Sequence, residues 1–344
     1  MDVRELLNLK KELRFDENGK FRILLMTDLH AGHGFSPQLT EGVEALVEHC
    51  KPDLVLLNGD TSGCHRRVHC ENESDLREVL DAVTAPMERN SIPWAHVFGN
   101  HDDNYGFKKE DQETVYESYP CCVSKRGEVS GVANYVLPVL SHDGTKIAFN
   151  VFMLDSHDNL KVMSREQNRP GVLGAVLPVH FAAGRDYAMP YFDQVCNYYE
   201  QSKAIEEYNG APIPAMMAMH IPIPEVHLAY MNREECNFKG NAREDIGCGE
   251  LNSGLFSACI QRGDVRLMCF GHDHQCDFDA DYCGIHFAYG GGMAYNCYCD
   301  DDMRGGRVIE LDENKQGEFK TYNVRLRDLL GSAADNMMGE HWRD

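Results

Sequence analysis

FRILLMTDLH, residues 21–30, is an apolar run that breaks into Thr27, Asp28 and His30. Such a run reads as a buried strand that delivers an aspartate and a histidine to the loop beyond it. Working outward, the unit recurs. A helical stretch from Pro37 to about Cys50 precedes the short strand Leu54 to Leu57 and the polar loop Asn58, Gly59, Asp60. A second helical stretch, roughly Ser74 to Arg89, precedes the strand Trp94 to Phe98 and the loop Gly99 to Asp102. Strand alternating with helix is the signature of an α/β layer in which helices cover a largely parallel sheet.

The middle is richer in β-structure. Ala133 to Leu140 and Lys146 to Leu154 have strand composition around a Ser-His-Asp-Gly turn, which suggests a hairpin. Residues 156–190 lack periodicity and read as a long surface loop. A helix near Tyr191 to Tyr208 leads to the strand Ala215 to Met219, which ends at His220; another, about Ser253 to Gln261, leads to Val265 to Phe270, which ends at GHDH. Further strands are expected near His286 to Tyr289, Arg307 to Leu311 and Glu318 to Val324. There is no internal repeat or interdomain linker. The expected organisation is a charged helical segment over residues 1–14, one domain over 15–327 and a tail over 328–344.

The 344 residues carry 33 Lys plus Arg against 55 Asp plus Glu, a formal net charge of −22. This acidity argues against binding long nucleic acids or an anionic membrane surface. With 43% hydrophobic and 26% charged residues the composition is that of a globular protein. The opening MDVRELLNLKKELRF lacks the apolar core of an export signal, and no window approaches the about 20 apolar residues of a membrane span, so a cytoplasmic location is expected. The 14 cysteines, none in a CxxC pair, are then read as mostly reduced thiols. Cys121, Cys122, Cys297 and Cys299 read as packing or loop thiols.

Five segments place metal-ligand residue types just after a strand: Asp28-Leu29-His30, Gly59-Asp60, Gly99-Asn100-His101-Asp102, His220 and Gly271-His272-Asp273-His274. In α/β sheets, ligands bind beyond the carboxyl ends of the strands, so the five can converge in one crevice. A single Asp or His in a loop is more often a cap or turn former. The ordered set is far more specific, because glycine permits close backbone approach while its neighbours offer amide, carboxylate and imidazole donors together.

This set resembles the calcineurin-like metallophosphoesterase superfamily, whose pattern runs D-x-H, G-D, G-N-H-D/E, H, G-H-x-H. The likeness extends through IPWAHVFGNHD, HIPIPEV, NSGLFS followed by RGDV, and GHDHQCDF with GIHFAYGGG. These look like the small purple-acid-phosphatase branch that includes the fungal Dcr2-type phosphatases. Two departures stand out: His30 where the purple enzymes have glycine, and Gly63 where they have tyrosine. Without that tyrosinate, a purple charge-transfer band is not expected.

The resemblance implies a four-layer α/β/β/α sandwich with two packed mixed sheets. It also implies two transition-metal ions (Mn, Fe or Zn), one held by Asp28, His30, Asp60 and His274, the other by Asp60, Asn100, His220 and His272. A carboxylate can lend one oxygen to each of two cations about 3.5–4 Å apart, and the mixed N/O donors suit these metals rather than calcium. The expected activity is phosphomonoester hydrolysis by metal-activated water, on a small phosphorylated molecule or a phosphoprotein. A phosphodiesterase is the alternative, and a non-catalytic metal-binding module the lower one. His101 is the candidate to protonate the leaving alkoxide or to stabilise the phosphoryl oxygens, with Asp102 orienting its ring. Arg66 and Arg67 are candidates to meet the substrate phosphate. His33 reads as a surface residue, Asp155, His157 and Asp158 as a turn, and Cys64, Cys70 and Cys276 as packing thiols. Gly290 to Gly292 lack a P-loop or GxGxxG context and read as a tight turn.

Overall fold

The computed structural model describes residues 3–63, 68–160, 186–315 and 317–336. Two mixed sheets form the frame. In the first, β1 (Lys20–Met26), β2 (Leu54–Asn58) and β3 (Trp94–Val97) run parallel. β1 also pairs antiparallel with β10 (Gly305–Asp312), and β10 with β11 (Phe319–Arg325), giving the order β11-β10-β1-β2-β3. In the second, β4 (Tyr135–Leu140) and β5 (Ile147–Met153) are the expected hairpin. β5, β6 (Ala215–Ala218), β7 (Val265–Phe270) and β9 (Ile285–Tyr289) are parallel neighbours, and β8 (Asp279–Tyr282) closes the edge antiparallel to β9.

Strand periodicity explains how the layers stack. In β6, Met216 and Ala218 join a core shared with β1 and β2, whereas Ala215 and Met217 join a second core with the helices Phe192–Asn209, Pro224–Met231 and Leu255–Arg262. Successive side chains of a strand point to opposite faces, so one face packs against the other sheet and the other face against helices. On the outer face of the first sheet, helix Pro37–Cys50 contributes Leu39, Val43 and Leu46, and helix Glu73–Val83 contributes Leu76, Val79 and Leu80. This is the expected mixed α/β architecture. All five residues of β2 are buried, as befits a strand covered on both sides.

Several local expectations differ. The helix expected over the first 14 residues is confined to Val3–Leu6. Leu13 and Phe15 instead exchange backbone hydrogen bonds with Leu140 and are buried, since pairing at the edge of β4 covers apolar side chains that a surface helix would expose. The stretch 74–89 is two helices, Glu73–Val83 and Ala85–Arg89. Pro86 has no N–H to continue the first, and the Thr84 hydroxyl donates to the Leu80 carbonyl at the joint. The first part of the segment expected as a tail is packed: Ala334 is buried, and Gln38 Nε2 donates to the carbonyls of Ala333 and Asp335. Helices Lys109–Tyr116 and Pro224–Met231 fill segments for which no element is expected from the sequence, and most of the long loop expected over 156–190 lies outside the described residues.

Candidate metal centre

The carboxyl ends of β1, β2, β3, β6 and β7 face one crevice, and the five motifs meet there. Asp28, His30, Asp60, His220, His272 and His274 are all buried. Four of them, Asp28, His30, Asp60 and His272, have positive φ, from 46° to 76°. Left-handed backbone is unfavourable for residues with a Cβ, and its concentration here marks loops bent to aim side chains inward. Close approach fixes the glycines too. A Cβ on Gly59 would lie 2.4 Å from the His220 ring, and one on Gly99 would lie 2.1 Å from Asp60 Oδ1.

Ligand atoms of Asp28, His30, Asp60 and His274 lie within 4.8 Å of one another, as do those of Asp60, His220 and His272. Asp60 belongs to both groups. Its Oδ1 accepts from the His101 amide (2.8 Å), and its Oδ2 stands 3.6 Å from His30 Nε2 and 3.1 Å from His220 Nε2 without an aligned hydrogen bond. Asp28 is held by the Thr27 hydroxyl (2.8 Å) and the His272 amide (3.1 Å), with Oδ1 3.3 Å from His274 Nε2.

Fit to cations can be read from the polar atoms. His274 Nδ1 meets the Tyr298 carbonyl at 2.6 Å, and His30 Nδ1 lies 3.3 Å from the Gly63 carbonyl, so both rings present Nε2 to the crevice, 2.9 Å apart. Two nitrogen lone pairs that close repel unless a proton or a cation lies between them. His220 repeats the pattern: Nδ1 meets the Asn58 carbonyl (2.9 Å), and Nε2 is buried without a hydrogen-bond partner. Asp60 Oδ2 and Asn100 Oδ1 are likewise buried and unsatisfied. Buried polar atoms are normally hydrogen-bonded, so His220 Nε2 and Asp60 Oδ2, orphaned and 3.1 Å apart, are donors fitted to a metal ion.

Electrostatics agree. Burial pushes the His220 imidazole toward neutrality, but Asp60 and Asp28 prevail and hold it up to about 10; His274 is held up to about 9 in the same way, with Asp28 foremost. Burial takes His30 and His272 down to about 3. Two buried carboxylates thus attract two positive charges into the cluster, and a cation that enters must displace those protons.

His101 is part-buried beside the cluster, its ring edge-on to His30 at 5.4 Å. It borders a cavity of about 400 Å³ with Tyr187, Glu244, His272, His274 and Tyr298. Asp102 departs from expectation: its carboxylate accepts from the amides of Gly99 (2.7 Å), Ser62 (2.8 Å) and Asp60 (3.1 Å), while Asn104 Nδ2 meets the His101 ring at Nδ1. A carboxylate buried among backbone amides is held by them, so Asp102 fastens the two ligand loops together rather than steering His101. Arg66 and Arg67 lie outside the described residues. His33 is on the surface, paired with Glu78 at 2.8 Å; Asp155 accepts from Val132 and His157 in a turn; Cys70 and Cys276 are buried. The turn at Gly290–Gly292 runs against Thr27.

Sequence reasoning missed Tyr298, Tyr187 and Glu244. Tyr298 stacks on His274 with centroids 4.2 Å apart and donates to Glu244, and Tyr187 stands edge-on to His272 at 4.5 Å. None carries a spacing signal; they arrive by loop packing.

A model of the calcineurin-like phosphoesterases matches residues 21–276. The chain belongs to that family. A protein of Arabidopsis thaliana named probable inactive purple acid phosphatase 29 is 27% identical over 349 residues, covering 90% of this chain and 82% of its own length. Phosphatase DCR2 of Saccharomyces cerevisiae is 26% identical over 362 residues, covering 93% of this chain and 57% of its own. The crystal structure of a dimetal phosphatase from Danio rerio superposes with a TM-score of 0.51 at 15% identity, covering 88% of this chain and 98% of that one, a likeness of fold. This family member is a metal-dependent phosphoester hydrolase. Among the described residues, no helix is long and apolar enough to cross a membrane.

Proposed function

We propose that the protein is a dinuclear phosphomonoesterase that directs water at a small phosphorylated molecule or a phosphoprotein. The first cation would be held by Asp28, His30, Asp60 and His274, the second by Asp60, Asn100, His220 and His272. The observation that carries this reading is that His220 Nε2 and Asp60 Oδ2 face each other at 3.1 Å, both buried and without hydrogen-bond partners, while Asn100 Oδ1 is buried and unsatisfied as well. Transition metals in such an N/O shell, Mn, Fe or Zn, supply Lewis acidity that lowers the pKa of water and offsets phosphoryl charge.

The chain does the rest. Asp60, with one oxygen taken by the His101 amide and the other facing His30 and His220, fixes the spacing of the two donor groups. His101 borders the cavity and is placed to give a proton to the departing alkoxide, Asn104 holding its other nitrogen. Asp102 keeps the Asp60 and Asn100 loops in register through three backbone amides. Exclusion of long polyanions fits the net charge of −22 and the Glu244 and Asp245 carboxylates at the cavity.

Turnover of an aryl phosphate compared with the corresponding bis-aryl phosphate tests the proposal. Monoester preference is expected. A strong diester preference would replace it with the phosphodiesterase reading, and no turnover of either by metal-loaded protein would leave a metal-binding module.

A further inference from the structure

We infer that Cys297 supplies a thiolate to the first cation site, beside Asp28, His30, Asp60 and His274. The inference rests on the dinuclear reading above and adds a donor to it. Cys297 is buried, and its Sγ and ring nitrogens of His30 and His274 all lie within 4.8 Å of one another. The Nε2 atoms of these two rings are the ones that face each other at 2.9 Å. Asp60 Oδ2, buried and without a hydrogen bond, stands 3.6 Å from His30 Nε2, and the group Asp28, His30, Asp60 and His274 shares both rings with the Cys297 group. The sulfur therefore borders the same two imidazoles that the Asp28 and Asp60 carboxylates border.

The loop that brings the thiol is built to stay there. Met293 N donates to the Thr27 and Asp28 carbonyls, tying the segment after β9 to the first motif. The Tyr298 carbonyl fixes His274 Nδ1. Arg304, fully buried, donates to the carbonyls of Ala294 and Cys299 and lies 4.2 Å from the Tyr295 ring centroid. At Gly63, whose carbonyl lies 3.3 Å from His30 Nδ1, there is no side chain. Gly63 has φ +82°, and a Cβ there would meet the His101 carbonyl at 2.2 Å, so a bulky donor at that position would push the loop off His101. Cys299, two residues on, provides the contrast: its sulfur lies against the backbone carbonyls of Gly292 (3.4 Å) and His274 (3.9 Å) and belongs to neither ligand group.

On binding, the Cys297 thiol releases its proton to solvent as the sulfur–metal bond forms, leaving oxidation states unchanged. A sulfur donor among imidazoles and carboxylates shifts preference away from manganese toward zinc or iron.

X-ray absorption on the unmodified zinc-loaded protein tests this without any variant. A sulfur scatterer at about 2.3 Å from zinc is expected. Cobalt-loaded protein should show a near-ultraviolet thiolate-to-cobalt charge-transfer band that Cys297→Ser loses while still binding two metals, and that Cys299→Ser keeps. Two bound metals with no sulfur scatterer, or a band that survives Cys297→Ser, overturn the inference and leave the dinuclear reading standing. A chain that binds no metal overturns both.

Discussion

Two buried histidine–carboxylate clusters lie within this molecule, and they are finished differently. Behind β3, His96 has both ring nitrogens occupied: Nδ1 meets the Ser124 hydroxyl at 2.9 Å, Nε2 meets Glu113 at 3.0 Å, and the ring stacks on Tyr116 at 3.6 Å. In the crevice, His220 and Asp60 are as deeply buried and almost as close, yet the nitrogen and oxygen that face each other at 3.1 Å are without hydrogen bonds. In the first the facing nitrogen and oxygen are hydrogen-bonded to each other, although Glu113 Oε1 and the Tyr116 hydroxyl beside it are buried without partners. The second has its second partner left to a ligand. Both clusters are buried and keep an unsatisfied carboxylate oxygen, so what separates them is the imidazole: His96 has both nitrogens hydrogen-bonded, whereas His220 keeps Nε2 open.

Substitutions can break that contrast in order of size. Asp60→Asn should do most, because one residue serves both donor groups: metal content and phosphoester turnover should fall together to background, as read by elemental analysis beside an aryl phosphate assay. His101→Ala should keep both metals and lose about 10²–10⁴-fold in kcat, the usual worth of a general acid. Equal metal loss in the two variants would mean that their roles are misassigned. At the other cluster, Glu113→Gln should leave turnover per folded molecule unchanged and cost about 3 kcal/mol in denaturant unfolding, since it strands a buried imidazolium. If Glu113→Gln instead lost metal, the separation of the clusters would fail.

The smallest effect is a pH dependence. Burial disfavours the charged His96, but Glu113 outweighs it and holds the ring up to about 9, against 6.5 in the unfolded chain. A raised folded value means that the stabilisation is complete below about 6.5 and is lost as the pH climbs through about 9. Unfolding free energy of wild type should therefore decline over that window more steeply than that of Glu113→Gln. Parallel curves would remove His96 from the explanation.

The same contrast explains what was legible in the sequence. Asp28, His30, Asp60, Asn100, His220, His272 and His274 announce themselves because each follows an apolar strand at once, and a parallel sheet gathers such ends on one edge. His96 is silent, for it sits inside the strand Trp94–Val97 and its partner Glu113 comes from the helix Lys109–Tyr116, a segment for which no element is expected from the sequence. Tyr298 and Glu244 are silent for a related reason: Tyr298 stacks on His274, and Glu244 accepts from Tyr298 and the Gln275 amide, only through the packing of the loops after β9 and after helix Pro224–Met231. Asp102 shows the limit of a motif. Its position beside His101 suggested a partner for the ring, and only the backbone path, with the amides of Gly99, Asp60 and Ser62 turned toward it, shows what it holds.

Anomalous diffraction from metal-loaded crystals tests the central claim most directly. Two peaks about 3.5–4 Å apart with the Asp60 carboxylate between them are expected; a single peak, or two that do not share Asp60, would contradict it.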